Sequence, residues 1–191
     1  MPQIILTALL GGVLIYLIYD TRQKSCLLDQ KITSLAQCND ELQKTLIYGL
    51  SVRFFNHERE ETPYDFKKLV ADILQKTAGG NALVTLLNND YGVDIEHRAQ
   101  GELFLSQVRC LHPEHKLDYE PIAIIHSQIV KQKAAGGLVV TTSDFTDNAK
   151  QYARSLGIEL INGQELVRLW LKAVEAEKEH SLSLTIKPTQ P

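Results

Sequence analysis

The order of apolar patterns after residue 62 constrains the fold of this chain most. Apolar residues from Phe66 to Leu74 recur at helical spacing, and three short strand-like runs follow between glycine and asparagine turns. From Pro121 onward, helical patterns alternate with buried strands as far as Trp170. This order, α-β-β-β-α-β-α-β-α, predicts an α/β domain with a mixed central sheet flanked by helices.

The amino-terminal run from Ile4 to Tyr19 contains no charged residue, and Arg22 and Lys24 follow it closely. With its flanks it approaches the ~20 residues needed to cross a bilayer, and basic residues mark the cytoplasmic side. The pattern predicts a transmembrane anchor over residues 1–21. The expected location is the inner or cell membrane, crossed once through residues 4–19, with a cytoplasmic carboxyl-terminal domain. The chain has only three cysteines, an odd number that fits a reducing compartment.

The polar stretch from Asp20 to Phe55 is predicted to be helical, and residues 22–61 are interpreted as a helical stalk and hinge. Apolar residues recur there in steps of four and three, with a polar residue at one a-position of the heptad. Two interpretations remain open. The helix forms a coiled-coil homodimer, or it lies as an amphipathic helix on the protein's own domain. The heptad residues are Leu28, Ile32, Leu35, Asn39, Leu42 and Leu46.

The remaining boundaries follow from composition. Residues 62–175 are expected to form the globular domain, which is long enough for one sizeable core. Residues 176–191 are polar and end in a proline-containing tail, so we expect them to be disordered.

Two strands of the predicted meander carry polar residues that suit metal chemistry. Asp94 begins the second strand after the Gly92 turn, and Gln107 and Arg109 share one face of the third strand. If these strands pair, the three side chains converge. A carboxylate, an amide oxygen and a cation together suit a Mg²⁺ ion bound beside a phosphodiester.

Three segments of the chain resemble the Mrr-type restriction endonuclease domain of the PD-(D/E)xK nuclease superfamily, which acts in type IV restriction. Residues 62–74 are similar to the family's opening helix. Gly92-Val-Asp-Ile95 and Gln107-Val-Arg109 resemble its GxD and QxK elements. Residues 137–166 resemble its later strand, helix, strand and final helix. The resemblance covers roughly residues 62 to 170.

The resemblance implies metal-dependent cleavage of DNA, with Asp94, Gln107 and Arg109 as catalytic residues. Asp94, Gln107 and the Val108 carbonyl would bind Mg²⁺. Arg109 stands where the family has its lysine, and an arginine has no role as a base because a guanidinium group keeps its proton in proteins. Lys67 stands where many relatives carry a glutamate on the opening helix.

The charge of the domain bears on its affinity for DNA. From residue 62 to residue 172 there are 12 Lys and Arg against 13 Asp and Glu, a balance of −1. Since DNA affinity depends largely on neutralising phosphates, a local basic patch is needed. The candidate DNA-binding residues are Lys67, Lys68, Lys131 and Lys133.

Three functions are consistent with these features. The first is an active endonuclease held at the membrane, which Asp94 and Gln107 favour. The second is a degenerate nuclease domain that binds DNA or protein without cutting, which Arg109, Lys67 and the neutral charge favour. The third is a coiled-coil membrane adaptor that uses the nuclease fold only as a scaffold.

Overall fold

The computed structural model describes residues 2–55, 63–85 and 91–185, with side chains described over residues 16–54, 63–85 and 91–179. The last residues of the predicted stalk and hinge, 56–61, lie outside these ranges, as do residues 86–90 shortly before the Gly92 turn. Five helices and five strands are present in the described ranges. The helices are α1 (Pro2–Phe55), α2 (Pro63–Ala78), α3 (Glu120–Gln132), α4 (Asp147–Leu156) and α5 (Gly163–Thr185). The strands are β1 (Asn81–Val84), β2 (Ile95–Ala99), β3 (Glu102–Arg109), β4 (Gly136–Thr141) and β5 (Glu159–Ile161).

The five strands form one mixed sheet in the order β1-β2-β3-β4-β5. The first three make an antiparallel meander, and β3, β4 and β5 run parallel. Parallel neighbours require a crossover, which α3 and α4 provide. The prediction of a mixed α/β sheet flanked by helices is therefore confirmed.

Each face of the sheet has its own apolar core. One core joins residues of α2 and α5, such as Phe66 and Leu166, to Val108 and Val140 of the sheet. The other joins Ile122 and Ile125 of α3, and residues of α4, to the opposite face. β4 is almost wholly buried because both of its faces are covered, as is usual for a parallel strand between helices.

The carboxyl-terminal part of α1 belongs to the first of these cores. Leu50 and Phe54 are buried there, and the Phe54 ring lies 5.3 Å from the Phe66 ring of α2, centroid to centroid. The chain divides by its contacts into two compact units, residues 1–42 and 43–191. The end of α1 is thus part of the domain's own core.

The predicted membrane anchor needs correction. In the part of the chain that the structure describes, no helix is both long enough and apolar enough to cross a bilayer. The run from Ile4 to Tyr19 is shorter than the ~20 residues that a span requires, and the helix becomes polar from Asp20 onward. The side chains of residues 1–15 lie outside the described residues. The expected single-pass membrane location with a cytoplasmic domain is wrong on this finding.

The last helix is longer than expected. α5 continues to Thr185, beyond residue 176, where the tail was expected to begin. The sequence from Lys172 to Thr185 contains no glycine or proline and is rich in alanine, glutamate and leucine, which favour a helix. Residues 186–191 lie outside the described residues.

Candidate functional site

A tight turn delivers Asp94 to the edge of the sheet. Gly92 has a φ of +87°, and a Cβ at this position would meet the side chain of Ile124. Both facts require glycine here. The backbone N–H of Asp94 donates to the Ser106 carbonyl at 2.8 Å, which extends the pairing of β2 with β3 by one residue.

The Asp94 carboxylate is only 5% exposed and makes three polar contacts. Its Oδ1 lies 2.5 Å from Lys67 Nζ of α2. Its Oδ2 accepts from the Val108 backbone N–H at 2.7 Å and from Arg109 Nη1 at 3.3 Å. A buried carboxylate is stable only with such partners, so the charge of Asp94 is held by two cations and one amide.

Gln107 and Arg109 complete the cluster from β3. Gln107 is fully buried. With its amide oriented by its partners, it donates to the Pro121 carbonyl at 2.7 Å and accepts from Arg109 Nη2 at 2.5 Å. Arg109 Nη1 also donates to the Val108 carbonyl at 3.1 Å. Asp94, Gln107 and Arg109 therefore lie together on the sheet, and Lys67 of α2 contacts this cluster through Asp94.

This cluster lies within a stretch that matches a known family. A family model for the Mrr catalytic domain, described as a restriction endonuclease, matches residues 58–170, more than half of the chain. The chain belongs to the Mrr restriction endonuclease family. No curated protein matches the chain.

Solved structures agree with this fold for the Mrr-family domain. The DNA modification-dependent restriction endonuclease AspBHI is similar with a TM-score of 0.56 and 17% identity, over 75% of this chain and 40% of that one. The MspJI restriction endonuclease, in complex with a 27-mer oligonucleotide, gives 0.52 and 18%, over 73% and 34%. A protein of unknown function, AF1548, gives 0.50 and 17%, over 59% and 66%. The chain thus spans less than half the length of the two endonucleases.

The Mrr-family site does not fit the Mg²⁺ ion expected from the sequence. Magnesium is held by several oxygen ligands, usually including carboxylates. The predicted oxygens of Asp94, Gln107 and Val108 all accept from Lys67 or Arg109. Among the described residues, no three His, Cys, Asp or Glu side chains are grouped so as to hold a metal ion.

The four lysines expected to bind DNA lie in different surroundings. Lys67 is in the Asp94 cluster and is only 15% exposed. Lys68 lies beside Asp65 and 4.4 Å from the centroid of the Tyr64 ring. Lys131 lies 4.0 Å from the centroid of the exposed Tyr91 ring, three residues before Asp94. Lys133 ends α3 with a left-handed backbone. Only Lys67 contacts the predicted catalytic residues.

A second carboxylate, Asp144, lies at the same edge of the sheet. Burial raises the pKa of Asp144, but hydrogen bonds from Lys150, the Phe145 backbone and Asn162 outweigh it, so the pKa is lowered overall. Asp144 also lines a mostly apolar cleft of about 440 Å³ beside the ends of β4 and β5. The other residues that line this cleft include Ile47, Tyr48, Thr142 and Asn162.

The contact between Lys67 and Asp94 was not expected from the sequence, although both residues had been singled out. One signal was available. Lys67 shares a helix face with Val70 and Ala71, three and four positions later, and both are buried. A lysine on that face points toward the domain, where a carboxylate is needed to balance it.

Proposed function

We propose that this Mrr-family domain binds DNA, and that it contacts the phosphodiester backbone at the edge of the sheet that carries Asp94, Gln107 and Arg109. The observation that carries the proposal is the Arg109 side chain. It is 39% exposed beside a buried polar cluster, in the stretch that matches the family. A guanidinium with donors open to solvent suits a phosphate, because its planar fork matches phosphate oxygens.

The names of the similar structures support DNA as the partner. AspBHI is named a DNA modification-dependent restriction endonuclease, and MspJI was solved with an oligonucleotide. Lys68 and Lys131 would add phosphate contacts from either side, because each is exposed and held over a tyrosine ring. The near-neutral domain would then depend on this one edge for its affinity.

Metal-dependent hydrolysis of DNA is a second candidate function. Asp94, Gln107 and Arg109 converge, which is the arrangement that the family resemblance implies for catalysis. The replacement of the family's lysine by Arg109 belongs to this proposal. The oxygens at the site already contact Lys67 or Arg109 and not a metal ion, which favours binding of DNA without cleavage.

Two measurements on the full chain test the proposal. Fluorescence anisotropy with a labelled duplex should give binding that weakens steeply with salt, since phosphate contacts release counterions. Plasmid incubated with Mg²⁺ or Mn²⁺ should stay intact. Cleavage by wild type that Asp94→Ala abolishes would establish the hydrolase instead, and cleavage only by Arg109→Lys would mark a site disabled at one residue. A chain that binds no duplex at any salt concentration would refute DNA binding.

We also propose that α1 pairs with a second copy of the chain before residue 43. Leu28, Ile32, Leu35 and Leu42 lie on the predicted heptad seam, and each is more than half exposed. An apolar seam of this kind is stabilised when a second helix covers it, and the polar Asn39 fixes the register.

The pairing is tested by the molar mass of the full chain in light scattering. Wild type should be dimeric, and the double variant Leu28→Asp, Leu35→Asp should be monomeric. Leu27→Asp is the matched control, since Leu27 is equally exposed but lies off the seam. A monomeric wild type at high concentration would refute the proposal.

A further inference from the structure

The oxygens that would face a metal ion at this site already face two side-chain cations. Lys67 Nζ lies 2.5 Å from Asp94 Oδ1, and Arg109 Nη1 lies 3.3 Å from Asp94 Oδ2. Arg109 also donates to the Val108 carbonyl and to the Gln107 amide oxygen. One ammonium group and one guanidinium group therefore already occupy the acceptor positions of all four oxygens.

The charge at the site points the same way. One carboxylate stands between two cations, so the cluster of Lys67, Asp94 and Arg109 carries a net charge of +1. A divalent cation added there would be repelled by both neighbours, whereas an anion would be attracted. Among the described residues, no three His, Cys, Asp or Glu side chains are grouped so as to offset this repulsion and hold a metal ion.

We propose that Lys67 and Arg109 together take the place of a divalent metal ion, and that they hold a DNA phosphate without any metal. This inference rests on the proposed binding of DNA. Arg109 has five N–H donors, and its partners among the described residues account for three, which leaves two for a ligand. Asp94 is then a positioning residue that holds the two cations side by side.

If two side-chain cations replace the metal ion, the expected effect of substituting Asp94 changes sign. In a metal site, Asp94→Asn removes a ligand and weakens whatever depends on the metal. In the site proposed here, Asp94→Asn keeps the side-chain shape and one oxygen that can accept from its neighbours, but it removes a negative charge from beside the phosphate, so DNA binding should tighten by about threefold. The same substitution thus gives opposite signs under the two mechanisms.

A titration with metal ions, in the absence of DNA, tests whether the two cations exclude a metal from the site. Calorimetry with Mn²⁺ alone should detect no binding to the full wild-type chain. Lys67→Glu places a second carboxylate beside Asp94 and should create Mn²⁺ binding, and Lys67→Gln is the matched variant without the charge. Binding of Mn²⁺ by wild type that Asp94→Asn abolishes would overturn the proposal, and this outcome does not depend on how any Lys67 variant folds.

DNA binding tests the phosphate contact. The affinity of the full chain for a labelled duplex should be the same in EDTA and in Mg²⁺ at matched ionic strength. Lys67→Ala and Arg109→Ala should each weaken it about tenfold and reduce the salt slope by about 1. Lys76→Ala is the control, because Lys76 lies on the same helix but pairs with Asp72 and Glu177. Melting curves by circular dichroism identify any variant that has lost its fold.

The possible failures are distinct. Binding that requires Mg²⁺ would overturn this inference and leave the proposed function intact. A chain that binds no DNA in either buffer would refute the proposed function and the phosphate contact with it, and the Mn²⁺ titration would then decide only whether the two cations exclude a metal.

Discussion

Asp94 and Asp144 lie at the same edge of the sheet, and each is paired with a lysine, but their surroundings differ. Asp94 and Lys67 are 5% and 15% exposed, and their atoms lie 2.5 Å apart. Asp144 and Lys150 are 37% and 36% exposed, with a separation of 2.8 Å. The distances within the two pairs are similar, so the pairs differ mainly in their exposure to water.

The comparison shows how exposure decides what an ion pair does. An exposed pair is screened by water and adds little to stability, whereas a buried charge that loses its partner is costly. Asp144 also receives a hydrogen bond from Asn162, which ties the loop after β4 to the start of α5. We therefore assign Asp144 to local structure and Asp94 to the charge balance of the site.

The largest expected effect is on folding stability when Asp94 is removed. Asp94→Ala leaves Lys67 and Arg109 facing each other and the Val108 N–H without its acceptor, so the free energy of unfolding should fall by about 3 kcal/mol. Asp144→Ala should cost less than about 1 kcal/mol. Urea denaturation of the two variants measures the difference. Equal losses would mean that burial does not separate the pairs.

A double-mutant cycle should isolate the two lysine contacts. The coupling energy of Lys67→Met with Asp94→Asn should be about 2 kcal/mol, because both partners are largely shielded from water. The coupling of Lys150→Met with Asp144→Asn should be below about 0.5 kcal/mol. A larger value for the exposed pair would contradict the role of exposure.

A smaller effect is expected at acid pH from Asp144. Because its folded pKa lies below the ordinary value of 3.8, ionised Asp144 stabilises the fold above that value, and the contribution disappears as the pH falls through the folded pKa. From about pH 5 to about pH 3, wild type should lose slightly more stability than Asp144→Asn. Thermal melting across this range gives the comparison, and parallel curves would argue against the lowered pKa.

The smallest effect concerns Cys110, which directly follows Arg109. Burial raises the pKa of its thiol, although a hydrogen bond with Thr142 lowers it in part. Since the thiolate is the reactive form, Cys110 should be alkylated more slowly than the exposed Cys26 and Cys38. Mass spectrometry after timed treatment with iodoacetamide measures the three rates. Equal rates would show that the end of β3 is more open than the burial of Asp94 implies.

Much of the fold is predictable because its signals are local. The spacing of apolar residues in α2 and the turns around Gly92 and Gly101 are properties of a few neighbouring residues, and they gave the correct order of elements. The role of α1 was not accessible in this way. Leu50 and Phe54 follow Leu46 at steps of four, off the heptad seam, and only their contact with the core around Phe66 shows what they pack against.

The site was predictable in part for the same reason. Period-two alternation put Gln107 and Arg109 on one face, and pairing of β2 with β3 brought Asp94 beside them. The position of Lys67 depends on how α2 packs across the sheet, which no spacing within the chain specifies. The family resemblance pointed to a metal, and the contact with Lys67 is the observation that argues against it.

The strand order has a consequence for how the chain folds. Each strand of the sheet pairs with the next one along the sequence, so the sheet can grow in chain order, through the meander first and then across the helical crossovers of α3 and α4. One late step remains. α5 must dock on α2, where Lys76 meets Glu177, 101 residues further along the chain. We expect that final docking to limit the folding rate, since it closes a loop of 101 residues.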